Sequence, residues 1–167
     1  AENTGAFVQV RQPIGHKLDL SYGVRHDQQD FTGTDDSEHD DSGVSSNVFA
    51  EFFVNDHLAF NAGYADVWGG TALAENFILN GAWDYDDQDA VEAYNHTFGT
   101  KANWNGFFAE ANRFETRISN ARVPSFGGGP NLVADFNIEG YDVSVGYAGQ
   151  RGEVSVKYAN IESEKDD

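Results

Sequence analysis

Apolar residues recur at every second position along much of this chain. In the clearest stretch, from Lys17 to about Phe31, one set of alternate positions is mainly apolar and the other is charged or small. The first set is Leu18, Leu20, Tyr22, Val24 and His26, and the second is Lys17, Asp19, Ser21, Gly23, Arg25 and Asp27. Because side chains alternate between the two faces of a strand, this pattern predicts one face toward lipid and one toward water.

Similar stretches follow, and together they predict about eight antiparallel strands. They lie near Ala6–Pro13, Val44–Val54, Leu58–Trp68, Glu92–Trp104, Phe107–Ile118, Asp135–Tyr147 and Glu153–Ile161. Short turns are predicted at Pro13–His16, Asn55–Asp56, Asn105–Gly106 and Gly149–Gly152, and long loops at Thr32–Gly43, Gly69–Val91 and Ser119–Ala134. Turns at one rim and long loops at the other are typical of an up-and-down transmembrane β-barrel, with periplasmic turns and extracellular loops.

The same alternation would arise in any antiparallel meander, so a soluble all-β fold stays open as an alternative. If the short turns are periplasmic, both chain ends lie on the extracellular side. A complete small barrel normally has its ends in the periplasm, so we expect an internal segment of a larger barrel. The acidic stretch Glu162–Asp167 is then predicted to begin another surface loop.

Composition narrows the classes of function. The 167 residues include 28 acidic and 10 basic ones, a net charge of −18 that disfavours nucleic acid as a partner. There is no cysteine, and the mean hydropathy of −0.54 argues against a helical membrane protein. No catalytic motif or metal-binding spacing is evident, and the five histidines are scattered. We therefore expect no enzyme, no catalytic residue, no resident cofactor and no structural metal.

A few residues are candidates for binding a ligand. His39 lies in the acidic stretch Ser37–Asp41, where a surface histidine could ligate haem iron. Trp68, Trp83 and Tyr85 bracket the longest loop, where aromatic rings offer a surface for a flat ligand. Their alternative role is an aromatic girdle at the membrane interface, which is the favoured interpretation for Trp68. Asp84–Asp89 lacks the pattern of a calcium loop and is interpreted as solvated. Lys17, Asp19 and Arg25 are predicted to face the lumen.

Several of these segments resemble the barrel strands of TonB-dependent outer-membrane receptors, in the same order along the chain. Leu20–Phe31 is similar to the family pattern L-x-Y-G-L-R-Y-D-x-x-x-F, and Phe60–Trp68 is similar to L-x-A-G-Y-S-x-x-W. The remaining segments are Glu92–Lys101, Phe107–Ile118 and Phe136–Asp142. In the last one, Asp142 replaces the usual glutamate. Together the segments cover nearly the whole chain and correspond to the C-terminal half of the barrel, without its last strands.

The resemblance implies a function. Such receptors are barrels of about 22 strands closed by an N-terminal plug, so residues 1–167 would form a partial barrel domain without the plug. It implies uptake of a metal complex, such as an iron siderophore, haem or cobalamin, across the outer membrane of a Gram-negative cell. The implied partners are outer-membrane lipid and lipopolysaccharide, the plug and remaining strands, and TonB acting through the plug. The alternatives are a small eight-stranded barrel with a structural or adhesive role, and a secreted all-β domain that binds calcium or glycan.

Overall fold

The computed structural model describes residues 1–32, 36, 38–71, 89–123 and 132–166, which form eight antiparallel strands. Each strand pairs with the next one along the chain, giving one sheet in the order β1 to β8. The strands are β1 (Glu2–Ile14), β2 (Leu18–Thr32), β3 (Glu38–Asn55), β4 (Leu58–Gly70), β5 (Val91–Trp104), β6 (Phe107–Val123), β7 (Leu132–Gly149) and β8 (Gly152–Asp166). All eight predicted strands are confirmed. The described residues contain no helix long and apolar enough to cross a membrane.

The sheet has two chemically different faces. We call the face that carries Asp19, Arg25 and Asp27 of β2 the polar face, and the face that carries Tyr22 and Val24 the apolar face. Apolar side chains are strongly exposed on the apolar face: Val24 is 50% exposed, and its partner Val8 on β1 is 63% exposed. Among the described residues, few apolar side chains are buried within the sheet, so this face is suited to an apolar environment.

The short connections occur where they were predicted. The turn between β5 and β6 has positive φ angles at both central residues, 48° at Asn105 and 87° at Gly106. Asn-Gly is the preferred sequence for such a turn because its backbone twist matches that of the paired strands. The turn is also joined to β7, since the Ala148 N–H donates to the Gly106 carbonyl at 2.8 Å. The four short turns, which join β1 to β2, β3 to β4, β5 to β6 and β7 to β8, lie at one rim of the sheet, which we call the turn rim.

The other rim, which we call the loop rim, differs from the prediction. Strand β3 already begins at Glu38, so the predicted loop Thr32–Gly43 was too long, and His39 lies on a strand. The predicted loop Ser119–Ala134 is likewise shortened by β6 and β7. Residues 162–166 belong to β8, so the prediction of an acidic loop there was wrong. Backbone hydrogen bonds extend these strands regardless of side-chain polarity, and the charged residues remain solvated, so apolar alternation stops before the strand does.

Two irregularities in strand pairing lie near the loop rim. The register between β4 and β5 shifts at Trp68–Gly70, and that between β6 and β7 shifts at Ile118–Ala121. In the second, Asn120 has a positive φ of 60°, and its N–H donates to the Asp135 carboxylate at 3.0 Å. Such bulges break the simple alternation of faces and re-aim side chains. Trp68 is the last residue of β4 before the first of these shifts.

Candidate functional site

The candidate site is built on the polar face of β2, β3 and β4, close to the loop rim. Its anchor is Gln29 of β2. The Gln29 side-chain N–H donates to the carbonyl oxygen of Thr71 at 3.2 Å, and the Thr71 N–H donates to the Gln29 side-chain oxygen at 2.9 Å. Thr71 follows the last residue of β4 and is only 5% exposed. A single side-chain amide therefore ties the end of β4 to β2, reaching across β3.

Trp68 packs beside this anchor. Its backbone N–H donates to the Ser45 hydroxyl at 3.0 Å. The indole occupies the space that a Cβ atom on Gly43 would need, and its Cη2 lies 3.2 Å from the position of a Cβ on Gly70. Gly43 pairs with Asp27 across β2 and β3, so its missing side chain belongs to the polar face. The indole therefore covers the polar face of the sheet from Gly43 to Gly70.

This position differs from the one that the girdle interpretation of Trp68 implies, because a girdle ring would lie on the apolar face. Regular alternation from Tyr64 would place Trp68 on the apolar face. Regular pairing of β3 with β4 ends at Ser46 and Asp66, and the β4–β5 register shifts just beyond. The indole is thereby turned to the other face, where it is partly exposed. An isolated glycine within a strand indicates a close approach by another group, but the sequence analysis had assigned Gly43 to a loop, so this signal became visible only with the strand.

His39 lies further toward the loop rim on the same face. It pairs with Phe31, and the two rings are stacked with centroids 5.1 Å apart and planes inclined by 20°. Phe31 is 8% exposed, which is unusual for an aromatic residue in this sheet. His39 and Gly43 are four residues apart on β3, a separation of roughly 13–14 Å along a strand. His39 and Trp68 therefore share a face and a rim, and the sheet gives each its own packing partner.

Arg25 and Asp27 of β2 form an ion pair on the polar face, slightly closer to the turn rim than Gln29. The carboxylate of Asp27 accepts two hydrogen bonds from the Arg25 guanidinium, each at 2.6 Å. Asp27 is 6% exposed, and the Arg25 side chain is 49% exposed. Gly5 pairs with Asp27 from β1, and a Cβ there would overlap the carboxylate. Asp27 thus lies between two glycines: the space above Gly5 holds its carboxylate, and the space above Gly43 holds the indole of Trp68.

The other predicted lumen-facing residues lie at the opposite end of the sheet. Lys17 belongs to the turn before β2, and its carbonyl accepts a hydrogen bond from the Phe53 N–H at 2.8 Å. Asp19 lines a groove of 660 Å³ near the turn rim, together with Arg11, Phe49 and Glu51 among others. The structure therefore separates Lys17 and Asp19 from the region of Trp68 and His39.

Two predicted ligand-contacting residues, Trp83 and Tyr85, lie outside the described residues, as does most of the Asp84–Asp89 stretch. Within the part of the chain that the structure describes, no group of three or more His, Asp or Glu side chains is arranged to hold a metal ion. Sequence reasoning missed Gln29, Gly43 and Thr71 because none of them belongs to a residue type or spacing associated with ligand binding.

The sequence of this chain matches a known family over almost its whole length. The family model for "TonB dependent receptor-like, beta-barrel" matches residues 1–162. The chain belongs to this family. The resemblance found in the strand segments is thereby confirmed, and the members to which it is similar are described as transporters or receptors rather than enzymes.

The sequence identities to individual relatives in this family are low. The chain is 29% identical over 129 residues to the haem transporter BhuA of Brucella ovis and of Brucella abortus, covering 75% of this chain and 19% of the transporter. It superposes on the FrpB iron transporter of Neisseria meningitidis (F5-1 variant) with a TM-score of 0.77 at 17% identity, covering 96% of this chain and 26% of that one. For the ferric yersiniabactin uptake receptor FyuA of Yersinia pestis, the TM-score is 0.77 at 15% identity, with coverage of 98% and 27%.

These structural likenesses identify the fold as a section of a TonB-dependent receptor barrel. The chain spans about a fifth of the length of the haem transporter and about a quarter of each of these two structures. The described part of the chain consists of barrel strands and their connections.

Proposed function

We propose that this chain forms part of the wall and surface loops of an outer-membrane receptor that takes up a metal complex, with energy supplied through TonB. The observation that carries the proposal is the family match over residues 1–162, combined with a sheet that has one apolar and one polar face. An iron siderophore, haem or cobalamin is the expected class of solute. The haem and iron transporters among the relatives support the first two.

In this proposal the apolar face contacts the lipid of a Gram-negative outer membrane and the polar face lines the lumen. Aromatic pairs on the apolar face support the orientation. Phe107 and Tyr147 lie near the turn rim with ring centroids 4.8 Å apart, and Tyr141 and Tyr158 lie further along with centroids 6.0 Å apart. Rings at such positions suit the interface between hydrocarbon and headgroups. Lipid and lipopolysaccharide are then the partners of this face.

The polar face suits a wet lumen because its side chains bond across strands. Gln9 donates to Ser21 at 2.9 Å and exchanges longer hydrogen bonds with Asn47. Asn112 donates to Asp142 at 3.1 Å. Such a polar interior is typical of large outer-membrane barrels. Lys17, Asp19 and Arg25 are proposed to face this lumen.

The open edges of the sheet support a larger assembly. Among the described residues, β1 pairs with β2 alone and β8 pairs with β7 alone. Unpaired strand edges at membrane depth are not tolerated, so further strands must cover them, and the remainder of a receptor would provide these strands and the plug. This argues against a closed eight-stranded barrel. The exposed apolar face argues against a secreted domain that binds calcium or glycan.

The test is uptake by the full-length receptor in a Gram-negative strain that lacks its own receptors for these solutes. Cells are given hemin, ferric enterobactin, ferrioxamine B or cyanocobalamin as the only source of the required nutrient, in strains with and without TonB. Growth on at least one source that requires both the receptor and TonB is expected. Growth on none of them, or growth that does not depend on TonB, would contradict the proposal. Binding of the same complexes by purified receptor identifies the solute.

Within this proposal, the rim that carries His39 and Trp68 is a ligand-contacting region, with Trp83 and Tyr85 as further predicted contacts. Support comes from the shared face of His39 and Trp68 and from their place at the rim from which the long connections leave. The stacked imidazole of His39 remains a predicted ligand for haem iron. If this prediction is right, replacing His39 by alanine lowers hemin affinity and leaves the affinity for ferric enterobactin unchanged.

A further inference from the structure

The indole of Trp68 lies in a recess on the polar face that is formed by neighbouring strands. The ring lies directly over Gly43, whose missing side chain leaves room for it. The Ser45 hydroxyl accepts a hydrogen bond from the backbone N–H of Trp68 and so holds the backbone that carries the ring. The far end of the ring lies near Gly70, which is beside Gln29. Strand pairing fixes each of these groups, so the orientation of the ring is determined before any ligand arrives. Only a small change at Gly43 would be needed to dislodge it.

A fixed and partly exposed aromatic ring is suited to stacking against another flat ring. Aromatic pairs of this kind contribute binding free energy beyond their buried area, and a preorganised ring loses little conformational entropy on binding. Nearby, the Arg25 guanidinium is half exposed on the same face and is held by Asp27. A flat ligand would therefore meet an aromatic surface next to a partly exposed ion pair on one side of the lumen.

We infer that Gly43 is a positioning residue that holds Trp68 as the stacking surface for a flat aromatic part of the transported complex. The inference rests on the proposed function and deepens it, because it specifies a class of solute. Two kinds of solute have the required chemistry, the porphyrin of haem and the catechol rings of a catecholate siderophore. A hydroxamate siderophore such as ferrioxamine B carries a ferric ion without an aromatic ring.

The experiment measures equilibrium dissociation constants of the purified full-length receptor for hemin, ferric enterobactin and ferrioxamine B. The variants are Gly43→Ala, Trp68→Ala, Trp68→Phe and the double variant of Gly43→Ala with Trp68→Ala. The backbone of Gly43 is outside the left-handed region, so an added methyl group meets the indole without backbone strain. A matched control is Gly63→Ala on β4, where the added methyl would crowd Thr97 and Phe49 instead of Trp68.

The expected result is a rise of about 3- to 10-fold in the dissociation constant of hemin or ferric enterobactin for Gly43→Ala and for Trp68→Ala. Trp68→Phe keeps most of the affinity, and Gly63→Ala changes it little. In the double variant, Gly43→Ala adds nothing to the loss caused by Trp68→Ala, because Gly43 acts only through the ring. A general loss of structure would weaken ferrioxamine B binding equally and would make the two substitutions additive.

Three results would overturn the inference. The first is unchanged affinity of Trp68→Ala for every aromatic complex that the wild-type receptor binds. The second is a loss in Gly43→Ala that persists at full size when Trp68 is absent. The third is a wild-type receptor that takes up a metal complex but binds neither hemin nor ferric enterobactin, which would leave the proposed function intact. A receptor that takes up no metal complex contradicts the proposed function itself, so the two failures are distinguishable.

Discussion

The side-chain amide of Gln29 makes two hydrogen bonds with the backbone of Thr71, a residue 42 positions further along the chain. Gln29 thereby substitutes for a strand partner that Thr71 lacks at the end of β4. Because Thr71 is almost completely buried, its backbone groups would otherwise be without partners away from water. This anchor sets the point at which β4 ends and the long connection toward β5 begins.

Replacing Gln29 by glutamate is expected to loosen this anchor. The carboxylate still accepts the hydrogen bond from the Thr71 N–H, but it cannot donate to the Thr71 carbonyl and repels it instead. Leaving a buried backbone acceptor without its partner costs about 1–3 kcal/mol. Hydrogen–deuterium exchange of the peptide that contains residues 66–71 should therefore become about 5- to 150-fold faster in the full-length receptor.

Gln28→Glu is the matched control, because it introduces the same charge one residue away. Gln28 is exposed on the opposite face, where its side chain donates to Asp30 at 3.3 Å. We expect little change in exchange at residues 66–71 for this variant. If both substitutions accelerate exchange at residues 66–71 equally, added charge at the loop rim, rather than the bond to Thr71, controls the local unfolding of this segment.

Replacing Asp27 by asparagine is expected to lower the thermal unfolding temperature of the receptor in detergent. The asparagine keeps the shape of the side chain above Gly5 but loses the charge that holds the Arg25 guanidinium. Charge-assisted, two-point pairs of this kind are the stronger hydrogen bonds in proteins. Asp19→Asn, at the other end of the same strand, is the control. An unfolding temperature that Asp27→Asn leaves unchanged would show that the pair does not stabilise the sheet.

Alternation in the sequence was sufficient to predict the number of strands, their order and the four short turns. It succeeded because the period of two is imposed by the apolar and polar media on the two faces of the sheet. It failed where that contrast ends. Residues of β3 near Glu38 and of β8 near Glu164 extend beyond the apolar part of their strands, so backbone pairing continues without a pattern that reveals it.

The candidate site was predicted only in part, for a different physical reason. His39 and Trp68 were found from their residue types, but the face of Trp68 depends on irregular pairing between β3, β4 and β5. Gln29 and Thr71 are brought together by register across three strands, which alternation along a single strand cannot give. Asp27 lies between two glycines for the same reason, since Gly5 and Gly43 become its neighbours only through pairing.

The ion pair of Lys101 with Glu51 offers a test of the register across the sheet. Lys101 on β5 donates to Glu51 on β3 at 2.9 Å, so the pair bridges the intervening strand β4. Both side chains are partly exposed, and such a pair contributes about 0.2–1 kcal/mol. Lys101→Glu or Glu51→Lys alone should lower the free energy of unfolding by at least this amount, because each brings like charges together.

The double variant with both substitutions should recover most of the lost stability, as measured by urea unfolding of the receptor in lipid vesicles. Recovery requires Lys101 and Glu51 to face the same side of the sheet across β4. If the two destabilising effects simply add, the residues do not interact, and the register that aligns β3 with β5 across β4 is incorrect.

The assignment of the two faces can be tested with adjacent residues on β8. Val156 is 68% exposed on the apolar face, where it pairs with Val145, and Ser155 pairs with Gly146 on the polar face. Arginine at a lipid-facing position costs about 2–4 kcal/mol near the middle of the bilayer, whereas arginine in a wet lumen is tolerated. Val156→Arg should therefore reduce the amount of folded receptor in the outer membrane, as judged by the mobility of unheated samples in gels. Ser155→Arg, which adds the same charge one residue away, should assemble at the wild-type level. If Ser155→Arg lowers the amount of folded receptor and Val156→Arg does not, the assignment of the lipid-facing and lumen-facing sides of the sheet is reversed.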